Sequence, residues 1–591
     1  MGWLLMVMTA GGKVAGSADS ILPGDFVESA EIMVQTGLGQ VNRFTPQAGE
    51  PARLAVAVTN VPPAPWHVQA KCRLSQPVRA GDVLLLSLDL QAEEADPATG
   101  EAAVQICLQQ AQEPFRVEAE AVVIASPNWT RHVIPLRTQR AYPADGLQVA
   151  LNFGVCRQRV LLRHVSARNL GPRKSIAGLR HPPITYAGRE TNAPWRKPAA
   201  ERIERFRKGN LTLQVRDARG QPVAGAQVTL RLRRHAFAFG TAVTAARLLG
   251  ESEDDHRYRQ VLLKYFNTAV FENDMKWPMW EHPDAQRRLS HRRSTLAAAK
   301  WLRDHGFAIR GHCLLWPELS RLPADVAELA RRGDAVALRG RIDNHIRGIV
   351  GQFTGIVDEW DVVNEPLSHQ ALQQVLGADA LADWFRTARA ADPHARLFLN
   401  DFALLSYGAL NSGKIERLYQ TLCALRESGA PIDAIGEQGH FADIPVSPPR
   451  MIELLNRFAD IGLPIRITEF DIAAEDQQLQ ADYLRDFFTA AFSHPSVDGI
   501  VLWGFFQKNH WKPQAALWDA RWNLRPVGEA FVELVGRQWT TAVAGQTDAS
   551  GRFEFRGFKG AYEGTVSAGT ATVRIAPVLP GSGVLEVRLP E

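Results

Sequence analysis

The feature that most constrains this chain is an alternation of short apolar strands with helical stretches between about residues 235 and 540. Eight candidate strands can be read there: "AFAFGTAV", "NTAVFE", "AIRGHCLLW", "GIVDEWDVVNE", "ARLFLN", "IDAIGEQGH", "PIRITEFDI" and "GIVLWGF". Segments such as "DVAELARRGDAVALRGRIDNHIRGIV" and "PPRMIELLNRFADIG" separate them and carry helical periodicity. Eight such units in about 300 residues predict a (β/α)8 barrel, in number and in length. The competing architecture is a doubly wound open sheet. It normally carries a Gly-rich phosphate loop after an early strand, and none is present.

A chain of 591 residues has room for roughly three or four domains, and the flanks of the barrel differ from it in character. Residues 24–172 hold short β-rich runs ("RLAVAVTNV", "VLLLSLDLQA", "LQVALNFGV") broken by Gly, Pro and Asp turns, which predicts a two-sheet sandwich. The polar, Pro-rich stretch 173–204 reads as a linker. Residues 205–234 contain two alternating strands around Asp217–Gly220 and Pro222, and the tail 541–591 returns to the same pattern. Together, "VRDARGQPVAGAQV" and "TDASGRFEFRGFKGAY" resemble a carboxypeptidase regulatory-like repeat. The expectation is one small β-sandwich split by insertion of the barrel.

The 67 basic and 63 acidic residues leave a net charge of only +4, spread along the chain without long runs, which argues against a nucleic-acid partner, since such a partner usually needs a basic face. No stretch approaches the roughly 18–20 apolar residues that span a bilayer, so no membrane association is expected. Residues 1–20, apolar from Trp3 to Ala10 and small near Ala18, read as a signal peptide and imply a secreted or periplasmic protein. The five cysteines are widely spaced. One disulfide among Cys72, Cys107 and Cys156 is conceivable, but small buried thiols are the plainer reading. No metal-ligand spacing occurs, and no cofactor is expected.

In a (β/α)8 barrel the chemistry lies at the C-terminal strand ends. Glu365 ends one candidate strand, and Glu469 lies near the end of another. Two carboxylates at a barrel mouth can cleave a glycosidic bond, one protonating the leaving oxygen and the other attacking the anomeric carbon. Their environments must then separate their two pKa values. The strand period of two puts Gln438 and His440 on one side, and likewise Glu469 and Asp471. A neutral or donor His440 would orient the nucleophile, and Asn364 can bond a sugar 2-hydroxyl. Trp316, Trp503 and Trp511 would supply flat faces for pyranose rings. Taken singly, each has a plain structural reading as a rim carboxylate, core tryptophan or packed histidine. The argument rests on their joint occurrence at consecutive strand ends.

These motifs resemble glycoside hydrolase family 10, the retaining endo-β-1,4-xylanases, over about residues 235–535. "FNTAVFENDMKW" is similar to the second-strand segment and implies Glu272, Asn273 and Lys276 as glycone-side ligands. "RGHCLLW" implies His312 and Trp316 around the cleavage-site sugar, and "WDVVNE" implies Glu365 as acid/base beside Asn364. "EQGH" implies Gln438 and His440, "ITEFDI" implies Glu469 as nucleophile with Asp471 in support, and "WGF" with Trp511 implies a tryptophan platform. The resemblance implies hydrolysis of internal xylan bonds by double displacement, with the two carboxyl groups about 5–5.5 Å apart. Xylan or a related plant cell-wall β-glycan is then the partner, another β-glycan or a decorated xylan the alternative, and a non-catalytic glycan-binding protein a more distant one. The chain departs from the family at Pro317, at Phe402–Ala403 after Asn400–Asp401, and at Gln507 and His510. The N-terminal sandwich more loosely resembles a carbohydrate-binding module, with Trp66, Trp129 and Tyr142 as either a stacking surface or interior packing. Oligomeric state is not legible.

Overall fold

The structure is a computed structural model describing residues 20–46, 50–173, 175–176, 178–579, 581 and 583–590. All but the last residue of the segment read as a signal peptide lies outside these. The chain divides into two compact units, one formed by residues up to 185 with 410–413, the other by the remainder.

The first unit is an antiparallel sandwich of two five-stranded sheets. One runs Glu31–Val34, Val68–Arg73, Leu147–Asn152, Ala103–Gln110, Val117–Ile124. The other runs Gly39–Phe44, Arg53–Val58, Gln158–Pro172, Asp82–Glu94, Thr130–Arg137. Alternate residues such as Leu84, Leu86, Leu88 and Leu90 meet Val149, Leu151, Val160 and Leu162 in one core, as period-two patterning requires. Of the three aromatics singled out, Trp66 is 48% exposed. The Trp129 ring packs under the Arg163 guanidinium at 4.0 Å, and the Tyr142 hydroxyl donates to Glu118 (2.6 Å). All five cysteines are free thiols.

In the second unit the eight expected strands form a closed, all-parallel barrel. We number them β1 (Ala238–Val243), β2 (Thr268–Phe271), β3 (Ala308–Gly311), β4 (Glu359–Asn364), β5 (Arg396–Asp401), β6 (Ala434–Glu437), β7 (Ile465–Ile472) and β8 (Val497–Leu502). Each pairs with its neighbours, and the β6–β7 and β8–β1 ladders complete the ring. Helices start where the local chemistry caps them: Ser447 bonds the Arg450 N–H ahead of Pro448, and Asp476 bonds the N–H groups of Gln478 and Leu479. Below the strand ends, the interior carries a buried charge layer. Glu359 accepts from Arg310 (2.7 Å), Arg396 (3.0 Å) and Arg466 (3.1 Å), and Arg466 also bonds Asp498.

Two small sheets flank the barrel in the same unit. In one, Lys208–Arg216 lies between Arg552–Phe558 (antiparallel) and Gly583–Arg588 (parallel). In the other, Gln227–His235 lies between Ala542–Gln546 and Gly560–Ala568. Leu211, Leu213, Val215, Val228 and Leu230 share one core with Tyr562, Val566 and Val587. Residues from both sides of the barrel in sequence thus build one sandwich.

The linker expectation for 173–204 needs correction. Arg196–Arg207 is a helix, and the segment is fastened to the barrel helix Gln477–Ser493. Arg196 forks onto Asp486, Tyr186 donates to the same carboxylate (2.9 Å), and Arg189 pairs with Asp482. Its arginines made the segment look solvated, whereas Arg189, Arg196 and Arg202 find carboxylate and hydroxyl partners on that helix.

Candidate active site

Glu365 directly follows β4, which is buried along its whole length. Its φ of 55° falls in the left-handed region, rare for a long side chain and common where a site imposes its own geometry. Its N–H donates to the Asn400 carbonyl at the end of β5 (2.8 Å), which fixes the turn. The carboxylate accepts from Trp316 Nε1 (3.2 Å) and Gln438 Nε2 (2.9 Å).

Glu469 is buried within β7. Its Oε1 accepts from Asn400 Nδ2 (2.7 Å) and its Oε2 from His440 Nε2 (3.1 Å), with His312 Nδ1 3.9 Å from Oε1. Burial alone would push its pKa up. The neighbouring His312 and His440, with Lys276 farther off, outweigh that and hold it below the ordinary carboxylate range. His440 stands between Glu469 and Asp471, bonding the latter through Nδ1 (3.0 Å). Burial opposes its charge, but Asp471 and then Glu469 raise its pKa to about 9. Near neutral pH it is therefore an imidazolium donating from both ring nitrogens. Asp471 also accepts from Trp511 Nε1 (2.6 Å) and Lys512 Nζ (3.2 Å). Burial opposes its ionisation too, and His440 and Lys512 overcome that.

One amide network joins the two carboxylates. Asn400 Nδ2 donates to Glu469 and to Asn364 Oδ1 (2.8 Å), while its own oxygen accepts from Thr468 (2.6 Å). Gln438 Nε2 donates to Glu365 and, more weakly, to Asn364 Oδ1 (3.3 Å). Two donors thus occupy the Asn364 oxygen, and its NH2 is the end that remains to donate to a ligand. Gly436 is needed for this, because a Cβ there would fall 2.5 Å from Asn400 Oδ1. One local expectation fails: β6 stops at Glu437, so Gln438 and His440 do not share a strand face. Gly439, at φ 78°, turns the chain between them, and that turn sends one residue to Glu365 and the other to Glu469.

His312 bonds Asp361 Oδ2 (2.9 Å), whose other oxygen accepts from Arg310 (2.6 Å). The buried charge layer therefore orients a histidine at the site. Lys276 donates to Asn273 (2.9 Å) and lies 5.3 Å from the Trp316 ring. Burial raises the pKa of Glu272 beside them, offset in part by Lys276. Trp503 does not form the open face expected of it. It is 5% exposed and set edge-on to His312 and His440, whereas Trp511 is 49% exposed. Gln507 and His510 serve the loop: Gln507 accepts from the Ala520 N–H, and His510 Nδ1 from that of Lys512.

Sequence reasoning did not assign Asn400, Asp361, Lys512 or His369, all of which touch the site. Asn400 had a readable signal, since it ends a strand beside an acid just as Asn364 does. Among the described residues no group of three or more His, Cys, Asp or Glu could hold a metal ion.

Among curated proteins, the chain is 34% identical over 378 residues to "Anti-sigma-I factor RsgI6" of Acetivibrio thermocellus, covering 64% of this chain and 47% of that one. It is 29% identical over 401 residues to "Endo-1,4-beta-xylanase 1" of Arabidopsis thaliana, covering 68% and 40%. The chain thus spans less than half the length of these two relatives. The solved xylanase 10B of Thermotoga petrophila RKU-1, in complex with xylobiose, matches with TM-score 0.45 and 26% identity, over 51% of this chain and 95% of that one. The family model for glycosyl hydrolase family 10 matches residues 230–534, more than half of the 591. That span takes in all eight barrel strands and both carboxylates, and the chain belongs to glycosyl hydrolase family 10.

Proposed function

We propose that the protein is an endo-β-1,4-xylanase that hydrolyses internal xylosidic bonds with retention of anomeric configuration. The observation that carries this reading is the unequal setting of two carboxylates within one hydrogen-bond network. Glu469 is held ionised by an imidazolium and an amide, as a nucleophile requires. Glu365 stands across Gln438 and Asn364 from it, in reach of the leaving oxygen of a bound chain. Glu365 gives its proton to that oxygen while Glu469 bonds to the anomeric carbon. Glu365 then takes a proton from the water that displaces Glu469. The Asn364 NH2 meets the 2-hydroxyl, a contact that strengthens as oxocarbenium character develops.

The choice of xylan draws support from relatives named endo-1,4-beta-xylanase. Another β-glycan or a decorated xylan would use the same machinery, with discrimination resting on room for a hydroxymethyl group near Glu272, Lys276 and Trp511. We assign the N-terminal sandwich a carbohydrate-binding role, with exposed Trp66 as its contact, and place the protein outside the cytoplasm, where polymeric xylan is met. A second reading is a non-catalytic glycan-binding protein on the same barrel, and the anti-sigma factor named among the relatives is an observation on the side of a regulatory role. A product profile on xylan, mixed-linkage glucan and mannan, with Glu469→Ala as control, separates these. Xylo-oligosaccharides from xylan alone, absent in the variant, support the proposal. An inactive native protein that still binds xylan overturns it.

A further inference from the structure

The support behind the nucleophile extends one residue beyond the groups the proposed mechanism uses. Lys512 lies in the loop after β8, next to the exposed Trp511. Its main chain is fixed on both sides. The N–H donates to His510 Nδ1 (3.1 Å), and the carbonyl accepts the Ala515 N–H (2.8 Å) across the turn Pro513–Ala515. From this anchored backbone the ammonium donates to Asp471 Oδ1 (3.2 Å). The Lys512 side chain is 25% exposed, against 1% for that of Asp471.

The two oxygens of Asp471 have different tasks. Oδ2 accepts from His440 Nδ1 (3.0 Å) and Trp511 Nε1 (2.6 Å), while Oδ1 takes Lys512. Among the described residues no other side chain donates to Oδ1. The ammonium also lies 4.2 Å from the centre of the Trp511 ring, and the His440 ring lies 4.8 Å from it. A carboxylate bonded at one oxygen only is free to turn, whereas one bonded at both must first break a charge-assisted bond. His440 aims its other nitrogen at Glu469 (3.1 Å). A turn of Asp471 would therefore re-aim the ring that meets the nucleophile.

We propose that Lys512 is a positioning residue for the nucleophile, pinning the Asp471 carboxylate so that His440 keeps its aim at Glu469. The inference deepens the glycosidase reading and rests on it. Lys512 touches no reacting atom. Its influence runs through Asp471 and then His440 to Glu469, and each step is a hydrogen bond. Misplacement of Glu469 is felt when it attacks the anomeric carbon, where a small error of geometry costs rate. Loss of a sugar contact would instead weaken binding in ground and transition state alike. The effect of Lys512 therefore falls on kcat and not on KM.

The test is a double-mutant cycle in the full-length protein, with kcat and KM measured on xylo-oligosaccharides. Lys512→Met keeps the stem without a donor, and kcat falls about tenfold while KM stays within about twofold, as for loss of one part-exposed charged bond. Lys512→Ala shows the same loss and stands in for Met should that variant fold poorly. Lys512→Arg regains most of the rate, because a guanidinium N–H can meet the same oxygen. In the Asp471→Asn background Lys512→Met adds less than about twofold, since the group it acts through is already changed. An unchanged kcat, a rise in KM alone, an Arg variant no better than Met, or an equal tenfold loss in the Asp471→Asn background overturns the proposal. An active parent then leaves the glycosidase reading standing. A parent that does not hydrolyse these substrates overturns that reading, and this proposal with it.

Discussion

At the scale of single residues, the account depends on what surrounds each carboxylate. Glu365→Gln cannot donate a proton, so xylan hydrolysis falls by at least about 10³-fold. Aryl xylosides with excellent leaving groups, which need no acid in the first step, should show far less loss in the burst that precedes deglycosylation. Equal loss on both substrates would remove Glu365 from its role. His440 supplies part of the charge that keeps Glu469 ionised. In His440→Gln the Glu469 pKa therefore rises, and the acidic limb of kcat/KM moves toward neutrality. A linked stability effect follows. Folding raises the His440 pKa from an ordinary value of about 6.5 to about 9, so its contribution is complete below pH about 6.5 and fades as pH climbs through 9. The Tm difference between the parent and His440→Gln should shrink over that window in scanning calorimetry.

At the scale of elements, the strand ends were legible and the geometry between them was not. Each of the eight quoted runs overlaps a barrel strand, because apolar runs bounded by turn residues and helical periods mark βα repeats. Glu365 and Glu469 stood out as acids at the ends of such runs. Asn400 stands in an equivalent place on β5, yet its task of bonding Asn364 and Glu469 at once depends on strands far apart in sequence. Asp361 is an acid inside an otherwise mostly apolar strand, with no partner visible in the residues beside it. Only the closed barrel shows that Arg310 and His312 receive it. The turn at Gly439 was hidden for the opposite reason, since a period of two reads straight through a glycine that bends the chain. Gly439→Ala puts a Cβ at a φ of 78° and 3.1 Å from Ile467, which costs roughly 1–2 kcal/mol. Urea unfolding should register that loss. Activity should fall further than the folded fraction does, because Gln438 and His440 are both re-aimed.

For the molecule as a whole, the sandwich made from 208–235 and 542–588 closes around the barrel's two ends in sequence. Lys208–Arg216 is covered on both edges by strands from beyond residue 550, and Gln227–His235 likewise by strands from beyond 541. Deleting 541–591 would leave Leu211, Leu213, Val215 and Leu230 uncovered and two strand edges unpaired, an invitation to aggregation. The truncated protein should show a lower Tm and self-association in size-exclusion chromatography. A monomer with the parent Tm would mean that the barrel does not need this closure. The motifs here repeat over short distances and so were readable. The arginine-rich segment before them was not, because sequence shows charges and not the carboxylates that receive them.

The central claim is that Glu469 forms a covalent glycosyl intermediate. Incubation with a 2-fluoro-xylobioside bearing an activated leaving group, followed by intact mass and peptide mapping, addresses it directly. The account predicts one added fluoroglycosyl unit, on the peptide containing Glu469 and absent in Glu469→Ala. No adduct on an enzyme that still hydrolyses xylan, or an adduct on Glu365, would contradict it.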